Sequence, residues 1–475
     1  MVTWVWILGA IYAAALVAAA YVSWRKSDGE ADYLFAGSNV GVFAGLLTYS
    51  ATLFSTFTLM GMPDFFRNHG IGAWIFLAVS DGVQVFFIVW FGYHLRKRAR
   101  ERGFRGTAGL LSALYNNRLA GYVFFAGVFL FLVPYVSIQI RGLAIFLEAV
   151  FPGALPAWGW SAGIVVAMLL YSEVGGLRAI ILSDVIQGLT LLTVVWIVAI
   201  GCINYFGGVG AMFEEVAAVD EALLSTPGPE GLFTPQFLLA SFFGVLLLPA
   251  TQPQLTTRLI VMRSREKMNR MAVSIGGFAI AILLPVIAIG MYGAVEYGGA
   301  TSREFWSNVL LYEQANVVAA AAVVGLLTAA MSTADSQLFA LGTELRSLYH
   351  GDEKTALRLT RLSIVFFGAA ALVFSILSSD QLVLLALSSF RGTALLGPMV
   401  LGGILARRAP GAEVVTATGV ALVLFLGAEA GVVPASVGPI RTDLLLLGLL
   451  AAITVGSMLA RRSHVAPPEE AGVRT

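Results

Sequence analysis

Residues Ala315 to Leu345 read ANVVAAAAVVGLLTAAMSTADSQLFALGTEL. The stretch is long and apolar enough to cross a bilayer, yet its centre carries Ser332, Thr333, Asp335 and Ser336. Hydroxyls and a carboxylate are costly in hydrocarbon and mark a binding site by default. Ser332, Asp335 and Ser336 fall at i, i+3 and i+4, on one helical face, with Thr333 beside them. Hard oxygen ligands converging in a dry site suit an alkali cation such as Na⁺. The competing reading is that each hydroxyl bonds its own i−4 carbonyl; it serves for one hydroxyl, and three with a carboxylate weigh against it.

The rest of the chain is of the same kind. Of 475 residues, 58% are hydrophobic and 12% charged, and mean hydropathy is +0.84; a soluble domain would carry about twice that charged fraction. A formal charge of +1 without a dense basic tract leaves no footprint for nucleic acid. The single cysteine, Cys202, excludes an internal disulfide and a Cys-rich metal site, and His69, His94, His350 and His464 lack metal-ligand spacing. No nucleophile and base pair stands out, so an enzyme is not expected. The first apolar stretch, VTWVWILGAIYAAALVAAAYVSW, has no basic leader and no cleavage site, and reads as a retained helix.

Apolar runs broken by polar or Gly/Pro loops give about 13 candidate spans, at 2–23, 42–66, 72–95, 120–149, 157–174, 179–204, 233–252, 272–297, 314–345, 359–379, 381–405, 411–433 and 442–460. With the N-terminus outside, 24 of the 29 basic residues are cytoplasmic, including the runs HLRKRARERGFR and RLIVMRSREKMNR. Three are external (Arg67, Arg303, Arg441) and two lie within spans (Arg141, Arg391). That imbalance predicts N outside and C inside. No loop is large enough for a core of its own, and the residues after Arg461 read as a disordered cytoplasmic tail.

Two spans share an oddity. The second carries SATLFSTFTLMGMP and the seventh FFGVLLLPATQPQ, each with proline, glycine and hydroxyls inside an apolar run. Interrupted helices five spans apart are the pattern of an inverted-repeat transporter, whose unwound backbone offers carbonyls to a cation and amides to a solute; ordinary proline kinks are the alternative. In the sixth span ILSDVIQG places Asp184 about a turn into the membrane, as a functional acid or as a structural partner of Arg178 or Gln187.

Four stretches in order, ADYLFAGSNVG, SEVGGLRAIILSDVIQG, ATQPQLTTRLIVMRSREKMNRMA and MSTADSQL, together resemble the sodium:solute symporter family. That family includes bacterial proline, pantothenate, sialic acid and sugar transporters. The resemblance implies an all-α polytopic membrane protein with two inverted five-helix repeats, broken first helices and an amino-acid-transporter-like core. The divisions are then an extra helix and loop over 1–40, a first repeat over 41–204, an external loop over 205–232, a second repeat over 233–406, two further helices over 407–460 and the tail over 461–475. It implies a Na⁺ site made by the carbonyls of Ala51, Phe54 and Ala329 and the hydroxyls of Ser332 and Thr333. Some members of the family, the sialic acid transporters among them, look to have a second Na⁺ site, whose matching positions here are Asp184, Ser332, Asp335 and Ser336. Asp335 replaces a serine there, so the site would hold two carboxylates and take either Na⁺ or a proton.

By the same resemblance the solute lies against Ser55, Phe57 and Thr58 of the second span, Tyr135 and Gln139 of the fourth, and Phe243 to Gln252 of the seventh. Tyr135 and Phe57 read equally as packing. Arg141 could pair with a carboxylate solute, or with Glu148 toward the outer surface. Leu53 stands where proline transporters have an acid, and Phe57 and Val245 where they have tryptophans, which argues against proline. The expectation is a monomeric, multi-pass protein of a bacterial-type inner membrane that couples uptake of a small organic solute, an amino acid, carboxylate or related metabolite, to Na⁺. The rival is a transporter-like sensor acting through a separate signalling partner.

Overall fold

The computed structural model describes residues 1–26, 30–378 and 382–461. The expected tail, beyond Arg461, lies outside the described residues. The chain is helical almost throughout: α1 (Val2–Lys26), α2 (Glu30–Phe35), α3 (Val42–Leu53), α4 (Met62–His69), α5 (Trp74–Arg102), α6 (Thr107–Tyr115), α7 (Arg118–Val150), α8 (Ala157–Tyr205), α9 (Val209–Val219), α10 (Pro235–Leu246), α11 (Leu248–Thr251), α12 (Pro253–Val261), α13 (Arg265–Glu296), α14 (Ser302–Ser307), α15 (Asn316–Leu348), α16 (Glu353–Leu377), α17 (Leu382–Ala394), α18 (Gly397–Leu405), α19 (Ala412–Glu429) and α20 (Thr442–Ala460). One two-residue hairpin, Ser436–Val437 with Ile440–Arg441, precedes α20.

Among the described residues ten helices are long and apolar enough to cross a membrane, and an eleventh span results if Val42–Leu53 and Phe57–His69, bent by 58°, count as one. The other two expected spans, 157–174 and 233–252, contain helices too short to cross alone, Ala157–Leu169 and Pro235–Leu246. Both are cut by their own sequence. Gly176 takes φ +58° and ψ −165° inside α8, a left-handed geometry open to glycine; an added Cβ there would lie 2.6 Å from the Tyr33 carbonyl. In the seventh segment Pro249 and Pro253 each remove an amide donor, and the helix restarts at α11 and again at α12.

α15 is the innermost helix: 78% of its apolar window is buried, against 28% for α1 and α20. Its small residues explain why. Ala319, Ala320, Ala322, Gly325, Ala329, Ala330 and Ala334 are all buried, and small side chains let helix backbones approach closely where lipid supplies no hydrophobic drive. α15 packs on α7, α8 and α16 and touches α3 and α12. The outward faces stay apolar, with Trp6, Phe86 and Leu377 largely exposed, as a lipid-facing surface requires. The loop before α3 pairs with the segment after α12: Val40 N–H donates to Val261 O at 3.1 Å, and Arg263 N–H to Val40 O at 3.0 Å. Both interrupted segments thus start from, or end at, one shared anchor.

Candidate functional site

The break after α3 is made by polar side chains. Phe54 is extended, with φ −97° and ψ 117°. The next three amides all turn away from the helix: Ser55 N–H donates to Thr58 Oγ1 at 3.1 Å, Thr56 N–H to Gln139 Oε1 at 3.2 Å, and Phe57 N–H to Ser55 Oγ at 3.3 Å. The carbonyls of Ala51, Thr52 and Leu53 therefore lose their i+4 donors. Thr58 N–H bonds Ser55 O at 2.8 Å, so the Phe54 carbonyl loses its donor too. The chain resumes as a π-turn over Phe57–Gly61, a wide turn common at functional sites. Buried carbonyls at a helix C-terminus carry the negative end of its dipole, which favours a cation.

α15 meets this end. Thr333 Oγ1 donates to Ala51 O at 3.1 Å and lies 3.4 Å from Thr52 O. Ala51, Phe54, Ala329, Ser332 and Thr333 are all buried. Ser332 turns the other way, and its hydroxyl donates to the Asp184 carboxylate.

The second group of sequence-predicted residues closes around a side chain that sequence reasoning placed in a cytoplasmic loop. Arg258, on α12, is 1% exposed. Its guanidinium donates through Nε to Thr48 Oγ1 at 3.1 Å, and through one terminal nitrogen to Ser336 Oγ at 2.7 Å and Asp184 at 3.3 Å. Thr48 in turn donates to Asp184. The expectation that the run beginning at Arg258 is all loop is thus corrected: α12 carries its first basic residue into the helix bundle. Asp335 is buried beside Ser336 on the same helix. Of the alternative partners for Asp184, Gln187 donates to Tyr12 at 2.6 Å, and Arg258 faces Asp184 at 3.3 Å.

A third group surrounds the π-turn. Phe57 and Tyr135 both meet Phe390 edge-on, at centroid distances of 6.1 and 4.9 Å. Gln139 is committed to the Thr56 amide, so it shapes the break rather than standing free. Tyr49 donates to Gln84 Oε1 at 3.2 Å, and Gln84 donates to Val245 O, in α10, at 2.8 Å. Asp81 is buried on α5. Among the described residues, Ser50, Thr56, Asp81, Tyr135, Ser241 and Gln252 each hold a buried polar atom with no hydrogen-bond partner. Gln252 does accept from Gln254, at 2.6 Å. Buried unpaired polar atoms are rare in folded proteins. Ser55 and Thr58 support the break through the bonds already given. Phe243 is half-buried and packs on Phe242 at 5.5 Å, and Arg141 is half-buried while Glu148 faces Arg303 at 3.2 Å.

Asp81 escaped sequence reasoning although the rule that selects Asp184, an acid inside an apolar span, selects it equally. Arg258 offered no such signal, because a basic residue at a span end reads as a snorkelling or loop residue. Beyond the π-turn a cavity of about 220 Å³ is lined by Gly61, Asp64, His69, Glu230, Trp306 and Leu382. A larger cavity of about 890 Å³, between Trp74, Trp196, Met212 and Leu284, is almost wholly apolar and contains none of the groups above. The chemistry points to the break rather than to this groove.

The model of the sodium:solute symporter family matches residues 33–410. The chain is 27% identical to a sodium/pantothenate symporter of Haemophilus influenzae, over 81% of each chain. It is 24% identical to a high-affinity proline transporter of Bacillus subtilis, over 80% of this chain and 83% of the relative. Its fold is similar to that of a Na⁺-coupled sialic acid symporter in a substrate-bound, outward-open state, with a TM-score of 0.77 at 18% identity, covering 97% of this chain and 98% of the other.

Proposed function

The chain belongs to the sodium:solute symporter family, and we propose that it is a secondary active transporter in which the inward Na⁺ gradient drives uptake of a small organic solute. The observation that carries this reading is the set of carbonyls at the end of α3 that have lost their helical donors and are met by Thr333 of α15. Na⁺ binds between the carbonyls of Ala51, Phe54 and Ala329 and the hydroxyls of Ser332 and Thr333, tying α3 to α15. The ion straightens the end of α3, and the solute then binds on the ordered π-turn against Phe57, Tyr135 and Phe390, with Asp81, Ser55 and Gln252 as its polar contacts. Residues 41–204 and 233–406 rock as inverted five-helix repeats, and the ion leaves into the low-sodium cytoplasm.

In this reading the broken and short segments complete 13 spans, with the N-terminus outside and the C-terminus inside. Removing Arg258 from the loops takes one charge from the cytoplasmic side and leaves the bias intact. The cavity lined by Asp64, His69 and Glu230 is then the external access route. The protein sits as a monomer in the inner membrane of a bacterial-type cell. Coupling requires Na⁺ to favour the solute-competent state by about 1–3 kcal/mol.

The test is binding of amino acids, monocarboxylates, vitamins and sugars to the purified protein in NaCl and in choline chloride, read by thermal shift. A solute whose stabilisation requires Na⁺ supports the reading. A solute bound equally well without Na⁺ refutes it.

A further inference from the structure

We infer that the solute carries a protonated primary or secondary amine, received by the Asp81 carboxylate of α5 and the Ser241 hydroxyl of α10 beside the rings of Tyr135 and Phe390. The inference rests on the reading of this protein as a Na⁺-coupled solute transporter. It starts from the register of two helices. Phe76 meets Phe237 edge-on at 6.0 Å, and Gln84 donates to Val245 O at 2.8 Å, the two pairs having the same separation in sequence, 161 residues. α5 and α10 therefore lie side by side and run in the same direction. Ser241 falls four residues from Phe237 and four from Val245, so it shares their face and points at α5. By the same offset Asp81 lies level with Phe242, the residue after Ser241, and it stands one turn before Gln84. Both Asp81 and Ser241 are buried, and Asp81 Oδ1 and Ser241 Oγ have no hydrogen-bond partner.

The rings come to the same place from two other helices. Phe390 of α17 lies 4.9 Å from Tyr135 of α7 and 6.1 Å from Phe57, centroid to centroid. Gly244 brings that pair against α10: a Cβ built on it would stand 3.5 Å from the Phe390 Cβ, and Gly244 is one turn from Ser241.

Charge and hydrogen bonding then choose the ligand. Asp184 faces Arg258 at 3.3 Å and Asp443 faces Arg391 at 3.3 Å, whereas among the described residues Asp81 belongs to no ion pair. A carboxylate buried in a membrane protein needs a counter-charge, and an ionised one only accepts hydrogen bonds. A protonated amine supplies the charge together with N–H donors for Asp81 and Ser241, and aromatic rings attract it as well. A carboxylate solute without an amine would meet Asp81 as a like charge. A quaternary ammonium has the charge and no N–H. A protonated Asp81 would instead donate to a neutral hydroxyl or carbonyl solute, which the test separates.

The test is thermal shift of the purified full-length protein in NaCl at neutral pH with probes that differ only at nitrogen. These are amino acids and alkyl amines, the 2-hydroxy acids and alcohols with a hydroxyl in place of the amine, and the trimethylammonium analogues. Pantothenate and glucose serve as further amine-free probes. The expected result is an amine that binds at least about 30-fold more tightly than its hydroxyl and trimethyl analogues. Asp81→Asn that elutes as the native species should lose this discrimination. An Asp81→Asn protein that binds the amine as tightly as wild type, or a Na⁺-dependent ligand of wild type that lacks an amine, overturns the inference and leaves the transporter reading standing. The wild-type ranking alone decides it if Asp81→Asn does not fold. If no probe binds in NaCl, or the amine binds equally well without Na⁺, the transporter reading falls and this inference with it.

Discussion

Thr333 is the side chain on which the proposed Na⁺ site turns, and Thr333→Ala is the sharpest perturbation of it. Its hydroxyl donates to the Ala51 carbonyl at 3.1 Å across the junction of α15 with the unwound end of α3. Truncation removes one oxygen of the proposed five. A polar contact to a charged group is worth about 1.5–3 kcal/mol. At about 1.4 kcal/mol per tenfold, the Na⁺ midpoint should rise by roughly 10- to 140-fold. Thr333→Ser keeps the oxygen and should stay close to wild type. The assay is the thermal midpoint of detergent-purified protein titrated with NaCl against choline chloride at constant ionic strength, since a ligand bound only to the folded state stabilises it by RT ln(1 + [L]/Kd). A midpoint in Thr333→Ala within about twofold of wild type would refute the assignment.

Other outcomes follow from the same geometry. Arg258→Met should destabilise the protein by about 3–5 kcal/mol, the cost of leaving one partner of a buried pair uncompensated, and Arg258→Met with Asp184→Asn should recover most of it in denaturant unfolding. Asp81→Asn should weaken solute binding while leaving the Na⁺ midpoint where it was, since Asp81, buried on α5, makes none of the hydrogen bonds that hold the α3 break; an equal shift in both would contradict the separation of the two sites. Gln139→Leu removes the acceptor of the Thr56 amide and should lower stability by about 1–3 kcal/mol as well as solute affinity, measured by thermal shift with and without solute. Outside the membrane, the Asp352 carboxyl accepts from the Thr355 amide at 2.8 Å at the start of α16, and that bond holds it below its ordinary range. Its contribution is therefore present above the unfolded value of about 3.9 and is lost as pH falls through the lower folded value; Asp352→Asn should flatten that part of the acid-stability profile.

Much of this was readable along the chain because a bilayer imposes one-dimensional rules. A span must be apolar for a set length, so its limits show in the sequence, and a polar residue within it stands out as a cost that something offsets. Ser332, Thr333 and Asp184 stood out for that reason, and Pro249 and Pro253 announced the interrupted seventh segment by the donors they lack. The break in α3 was less legible. SATLFSTFTLMGMP has no proline at the break itself, and what unwinds it is three amides captured by Thr58, Gln139 and Ser55. One of those acceptors lies more than 80 residues away, as the 83-residue separation of Thr56 and Gln139 records.

The sequence by itself determined the membrane class, most of the segments able to span, the proline-marked interruption and the face of α15 that carries hydroxyl and carboxylate groups, because hydropathy, proline chemistry and helical spacing are local properties. Tertiary structure alone decided what those ligands face. Thr333 reaches α3 and Ser332 reaches Asp184, though they are neighbours in sequence, and only the packing of α15 against α3 and α8 separates their roles. Arg258 carries that division furthest: a basic residue among loop charges in the sequence is, once α12 folds back into the bundle, a buried counter-charge to Asp184. The local chain says only that it is positive, and the partners that define its function come from three other helices.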